Sequence, residues 1–425
     1  MSNPSTLPAR RRLNWLRVIG PGLLVAATGV GAGDLATGAL VGSKLGVAVL
    51  WGVVLGAGLK FVLNEGLARW QLATGSTLLE GVVWHFGRAA QGVLLVYLLV
   101  WTYFTSAALM SACGIAMHAM LPLGEATTDK VTYGIAHSLL AVLLVELGGF
   151  RLFERVMGVC IGVMFVTVAM TAVLVRPAWE EIAQGLLVPR IPDFAGEGLS
   201  WTIALMGGVG GTLTVLCYGY WIREAGRDSP ADIPACRVDL AVGYAMTALF
   251  GIGMVIIGSR ISVQGRPAQL LVALADQLDQ QLGGAARWAF LLGAWGAVFS
   301  SLFGVWQSVP YLFADLISLR GGPSAIGVRP AISTRGLAYR GYLYAMATLP
   351  IFGLFRSFDV AQKAYAVFGA VFIPLLAGAL LSLNGSARRM GTDHRNGRLC
   401  TIVLVVAIGL FLASGSLEVV KAVGG

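Results

Sequence analysis

The chain has 425 residues, of which 57% are hydrophobic and only 12% charged, with 57 glycines and a formal net charge of +9. A mean hydropathy of +0.78 excludes a soluble globular domain, and the glycine content suits membrane helices that approach one another through small side chains. The positive excess lies mainly in short loops between apolar runs, where it orients helices in a bilayer, and does not point to a nucleic-acid partner.

Residues 1–17 form a basic tail carrying Arg10, Arg11, Arg12 and Arg17. The apolar run behind it continues past Gly42 without a cleavage site, so it is expected to be a retained first helix and not a signal peptide. At roughly 20 apolar residues per crossing, eleven spans are predicted, at 18–43, 46–70, 92–119, 131–149, 155–176, 200–224, 238–260, 286–312, 338–355, 359–384 and 399–421. Loops on one side carry Arg88, Arg151, Arg155, Arg227, Arg237, Arg320, Arg329, Arg335, Arg340, Arg388, Arg389, Arg395 and Arg398. The opposite loops hold Glu125, Asp129, Glu180, Glu181, Asp193 and Glu197. That asymmetry predicts a cytoplasmic N-terminus and an external C-terminus in a bacterial-type inner or plasma membrane. The Gln-rich stretch 261–285, ending in Gly283 and Gly284, reads as an external amphipathic connection. Five scattered cysteines, at 113, 160, 217, 236 and 400, support neither a disulfide framework nor a metal site.

Two spans are interrupted by glycine. Gly29-Val30-Gly31-Ala32-Gly33-Asp34 breaks the first, and Gly207-Gly208-Val209-Gly210-Gly211 breaks the sixth. Backbone groups freed from a helix at membrane depth persist only where protein or a cavity satisfies them, so paired breaks point to a transporter's binding site. If spans one to five (18–176) form one unit and six to ten (200–384) the next, an odd number of crossings inverts the second unit. The two broken spans then become equivalents. Residues 177–199 form an external segment between the units, and 399–421 is an appended helix. Close helix approach through glycine is the plainer alternative for either cluster.

Gly20-Pro21-Gly22 through Ala73-Thr74-Gly75, with Leu50-Trp51 and Ala68-Arg69 between, resembles the opening two helices of the NRAMP family of proton-coupled divalent-metal transporters. Trp179-Glu180-Glu181 through Gly185 to Pro189 and Pro192, and the run Gly207 to Thr212, are similar to that family's segment before and into its sixth helix. The resemblance implies an all-α membrane protein with eleven transmembrane helices, a LeuT-type 5+5 inverted repeat and broken helices one and six. It places the chain in the amino acid-polyamine-organocation superfamily. The family's first-helix motif, Asp-Pro-Gly-Asn, falls here on Gly31, Ala32, Gly33 and Asp34. Its sixth-helix motif, Met-Pro-His, falls on Thr214, Val215 and Leu216, and the third-helix acids that it uses for proton passage align near Ala108 and Ser111. The leading carboxylate, the thioether and the histidine are thus replaced.

Oxygen ligands favour hard cations over soft transition metals. Asp34 and Thr214, with backbone oxygens near Val30 and Gly208, form a candidate site for a hard, Mg²⁺-like ion that retains some water. The alternative is a small anion or amino-acid-like substrate held by N–H groups bared at Gly31, Gly33, Gly208 and Gly211, with Arg223 adding positive character. A non-transporting sensor is a third reading. Lys60, Asn64 and Glu65 are intramembrane polar residues with a coupling role or a packing role, and Asp34 is a candidate counter-ion for Lys60. Tyr218, four residues beyond Thr214, shares its face in a regular helix and is a candidate gate, or else part of an interfacial aromatic belt. Ser300 and Ser301 are candidate hydroxyl ligands of a coupling sodium, or bond within their helix; Gln307 carries the same ambiguity. Glu146 is expected to meet Arg151. His118 and His137 are expected at the surface, with proton relay the alternative. No P-loop and no nucleophile elbow occurs, so neither an enzyme nor a cofactor is expected. The partners implied are a small ion or molecule and the lipid bilayer, and a monomer is compatible with the sequence.

Overall fold

The computed structural model describes residues 19–260, 267–319, 332–356 and 358–424. The arginines at 10, 11, 12, 17, 320 and 329 and the first part of the Gln-rich connection lie outside the described residues. Within them the chain is helical, with no strand.

The first span is two helices, α1 (Gly20–Gly29) and α2 (Ala32–Leu45). Pro21 sits in the first turn of α1, where a missing N–H costs nothing. A short 3₁₀ turn, Gly46–Val49, leads into α3 (Leu50–Thr74), which ends at Gly75 in the left-handed conformation. Next come α4 (Leu78–Met120), opened by a Thr77–Glu80 capping box, and α5 (Ala126–Leu174). The two spans predicted within 131–176 are the two helical halves of α5, parted at Gly149, where φ is +56° and the backbone leaves the helix.

The segment between the fifth and sixth spans contains α6 (Trp179–Leu187). The sixth span divides into α7 (Gly198–Gly208), a 3₁₀ turn (Leu213–Cys217) and α8 (Tyr218–Glu224). After it follow α9 (Ile233–Ser259), α10 (Pro267–Leu282) and α11 (Gly284–Ser318). The predicted ninth span is α12 (Leu337–Thr348) and α13 (Ile351–Leu354), parted at Pro350. The chain finishes with α14 (Phe358–Asn384), α15 (Ala387–His394) and α16 (Arg398–Gly424). Among the described residues six helical segments are long and apolar enough to cross a bilayer, and a pair bent by 82° at Val371–Asn384 and Ala387–His394 makes a seventh.

Small residues set the helix spacing. Gly22 of α1 lies against Asp239 and Gly243 of α9, while Gly42 of α2 faces the Val255 carbonyl and Gly258 of α9 faces Ala39. A side chain at any of these points would separate backbones whose attraction in lipid comes from close packing and not from water exclusion. Helix α11 is buried over most of its length and packs on α4, α5 and α1, so it forms the wall against which both broken spans rest. Leu147, Val159 and Val166 of α5 stay exposed, as a lipid-facing belt requires.

Candidate functional site

The two breaks meet backbone to backbone. A Cβ on Gly29 would lie 2.7 Å from the carbonyl carbon of Gly210, so nothing larger than glycine fits between them. Gly210 and Gly211 have φ of +82° and +79°, a region that side chains resist, and they turn the chain out of α7.

Such turns free backbone groups that must find partners. Asp34 supplies one set. Its Oδ1 accepts the Gly210 N–H at 3.2 Å and its Oδ2 the Gly31 N–H at 3.4 Å, so a single carboxylate caps α2 and bridges to the second break. Lys60, fully buried on α3, supplies the other, because its Nζ donates to the Gly207 carbonyl at 3.1 Å and to the Gly211 carbonyl. Asp34 and Lys60 are therefore not a direct ion pair. They compensate each other's charge across the break while each satisfies backbone of the opposite polarity.

Beside them lies a small cavity with room for about one water molecule, ≈ 10 Å³ for the centre of a water-sized sphere. Thr28, Gly31 and Gly33 line it from the first break, Thr214 from the second, Trp101, Thr105, Ala108 and Leu109 from α4, and Ser301 and Val305 from α11. Its side-chain oxygens are all hydroxyls. Those of Thr28 and Thr105 are buried and make no hydrogen bond, a costly condition unless a ligand completes them. Ser300 and Ser301 donate to the last carbonyls of α1, Ala27 at 2.9 Å and Thr28 at 2.7 Å.

The structure thus brings Gly31, Gly33, Thr214 and Ser301 to one cavity, with Asp34, Lys60 and the Gly211 carbonyl along its flank. Val30 is buried and its N–H closes the last turn of α1. Gly208 is half-buried, faces open space and does not line the cavity. Tyr218 points elsewhere. Residues 213–217 wind as a 3₁₀ turn, which places a residue four positions on about 120° away instead of on the same face. Its hydroxyl donates to Asp239 Oδ2 at 2.9 Å. Asp239 also takes the Gly22 N–H at 2.7 Å and pairs with Arg227 at 2.8 Å, a buried latch that ties α1, α8 and α9 together.

The remaining candidates find these partners. Glu65, off the face of Lys60 and Asn64, pairs with Arg69 at 3.1 Å and, on α9, with Arg237 at 2.9 Å. Asn64 donates to the Tyr244 hydroxyl at 3.1 Å. Glu146 meets Arg340 and Tyr344, not Arg151, because packing of α12 on α5 supplies a nearer cation. Arg223 donates to the Gly75 carbonyl at 3.0 Å and is not at the break. Gln307 accepts the Trp221 indole N–H at 2.9 Å. His137 is buried, not at the surface, and accepts the Trp295 indole N–H at 2.9 Å, while His118 bonds Asp129 at 2.7 Å. Thr28, Trp101 and Thr105 escaped sequence reasoning. Only the place of Thr28, directly before the first break, marked any of them in advance. Among the described residues no group of three or more His, Cys, Asp or Glu side chains is placed to hold a metal ion.

An all-α bundle in which two broken membrane helices meet, with a small cavity beside the breaks, is an architecture found in transporters. The sequence model of the family described as "Natural resistance-associated macrophage protein-like" matches residues 22–420, and the chain belongs to that Nramp family. It is an integral, multi-pass membrane protein. It is 24% identical over 426 residues to a divalent metal cation transporter MntH of Verminephrobacter eiseniae, covering 95% of this chain and 89% of that one. Another MntH, from Acidiphilium cryptum, is 28% identical over 405 residues, covering 87% and 89%. The match to the MntH of Chromohalobacter salexigens, 28% identical, spans 60% of each chain.

Among solved structures, a mutant of the Eremococcus coleocola manganese transporter superposes with a TM-score of 0.76 at 19% identity, covering 99% of this chain and 91% of that one. MhsT in complex with L-phenylalanine gives 0.62 at 14% identity, covering 97% and 100%. The fold is the expected LeuT type.

Proposed function

We propose that the chain is a secondary-active carrier that moves a hard divalent cation of the Mg²⁺ kind through the hydroxyl-lined cavity by alternating access. The observation that supports this reading is the lining of one small cavity, whose polar side chains are the hydroxyl-bearing Thr28, Thr105, Thr214 and Ser301 and which no sulfur or imidazole lines. Oxygen ligands select hard cations. The names of the MntH relatives support a divalent cargo. A space of about one water is too small for an ion that keeps part of its hydration, so binding requires the cavity to widen as the breaks part, in keeping with alternating access.

In this reading residues 18–176 and 200–384 are the two inverted units, 399–421 is the appendage, and the N-terminus is cytoplasmic. A single chain suffices, since the cavity is lined by its own helices. The anion and amino-acid readings are weakened because one of the N–H groups that they require, that of Gly31, already bonds Asp34.

Purified protein in liposomes loaded with Mg²⁺-, Mn²⁺- and Ca²⁺-sensitive dyes tests the proposal. Uptake favouring the harder ions is expected. Absence of flux for all three, while an MntH relative in matched liposomes moves Mn²⁺, overturns it, and substrate binding without flux would identify a sensor.

A further inference from the structure

Lys60 asks for an explanation that transport of a divalent ion does not provide. An ammonium at 0% exposure in the middle of a membrane helix is expensive unless a specific partner repays it. Packing of α3 on α7 does not require it, since Gly56 already lets the backbone of α3 close on the Met206 carbonyl. What Lys60 touches is a pair of carbonyls, Gly207 and Gly211, four residues apart and drawn to one point.

Gly207 lies in the last turn of α7, where carbonyls lack helical partners and the helix dipole is negative. Gly211 joins it only because two consecutive left-handed glycines reverse the chain. Two carbonyls converging inside a membrane make a seat for a small cation, since in broken transporter helices unwound carbonyls and half-helix C-termini hold exactly such ions.

We propose that Lys60 is a resident cation: its ammonium fills a two-carbonyl cation seat at the second break that would otherwise recruit a free monovalent cation. Asp34 is its resident anion, seated on the N–H groups of the two breaks. Because the cation is tethered, it neither dissociates nor competes with cargo, and the closed breaks hold together without help from the surrounding salt. The proposal concerns this seat alone and stands whichever cargo uses the neighbouring cavity.

The test is thermal unfolding of the purified full chain in choline chloride, in sodium chloride, in potassium chloride and in n-propylammonium chloride at equal ionic strength. Lys60→Met keeps most of the stem and removes the charge; Lys60→Ala also leaves room for the three carbons and nitrogen of propylammonium. Wild type is expected to give the same Tm in all four salts. In choline both variants should melt lower. Sodium or potassium should produce a saturable rise in Tm for Lys60→Met, and propylammonium a larger one for Lys60→Ala. Equal melting of each variant in every salt overturns the proposal and leaves Lys60 a packing residue, as does wild-type protein that itself gains stability from sodium or potassium. Should Lys60→Ala unfold during purification, the yield of monodisperse protein prepared with and without propylammonium reads the same quantity, and no gain overturns it too. Divalent flux plays no part in this readout, so failure here and failure of the transport reading are separately visible.

Discussion

Gly31→Ala isolates the cavity from the backbone conformation that surrounds it. Gly31 has φ −127°, an extended value that alanine adopts freely, so the substitution introduces no backbone strain. Its new Cβ would lie 2.5 Å from Ser301 Oγ and 2.9 Å from Ser301 Cβ, so Ser301 must move or the two helices must part. Overpacking of a tight interior costs roughly 1–3 kcal/mol, and losing the bond from Ser301 to the Thr28 carbonyl adds about 1 kcal/mol. A total of about 2–4 kcal/mol against the occluded state corresponds to a fall of roughly 30- to 900-fold in the initial rate of cation uptake by proteoliposomes, if that state limits the cycle. The methyl would also take up the space of about one water that the cavity offers. Ser301→Gly in the same chain removes both atoms of the clash, so the double variant should regain much of the Tm that Gly31→Ala loses, while uptake stays low because one cavity hydroxyl is gone. Uptake at the wild-type rate by Gly31→Ala or by the double variant would refute the assignment of this cavity as the cargo site.

Thr105→Val removes a buried hydroxyl that has no partner, so the Tm should hold or rise slightly while the KM for cation uptake increases; a lowered Tm with unchanged KM would make the hydroxyl structural. Asp34→Asn puts an amide donor against one of two backbone N–H groups, for a loss of about 1–3 kcal/mol in thermal unfolding and a collapse of uptake, and normal uptake would remove Asp34 from the mechanism. Asp239→Asn leaves the guanidinium of Arg227, 8% exposed, without its carboxylate, and should lower stability by about 3–5 kcal/mol as read by denaturation. Tyr218→Phe should cost less and leave ion selectivity untouched, because its hydroxyl belongs to that latch; a changed Mg²⁺ to Mn²⁺ ratio in uptake would contradict this placement.

Long apolar runs determine by themselves that this chain lives in a bilayer, because lipid leaves no alternative to helices whose backbone groups are satisfied internally. Glycine clusters in the first and sixth spans likewise located both breaks, the second because glycine readily holds φ near +80° at Gly210 and Gly211, the first because Gly29 must pass against the Gly210 backbone. The breaks, the helical class and the family were legible for that local reason. Residues at the site were legible only in part. Gly31, Gly33, Thr214 and Ser301 reached the cavity as their positions implied, whereas Trp101 and Thr105 come from a helix with no break to advertise them.

Partnerships were decided by the tertiary structure. Asp34 was singled out as a cation ligand, yet its oxygens lie on the N–H groups of Gly31 and of Gly210, 176 residues away. Lys60 takes carbonyls from α7, and Glu146 pairs across to Arg340 on α12. Tyr218 turned from the cavity because one stretch winds three residues per turn instead of 3.6. Local sequence determines which backbone groups a break sets free. Which side chain reaches them depends on the rotation and offset of helices far apart in the chain, and only packing sets those.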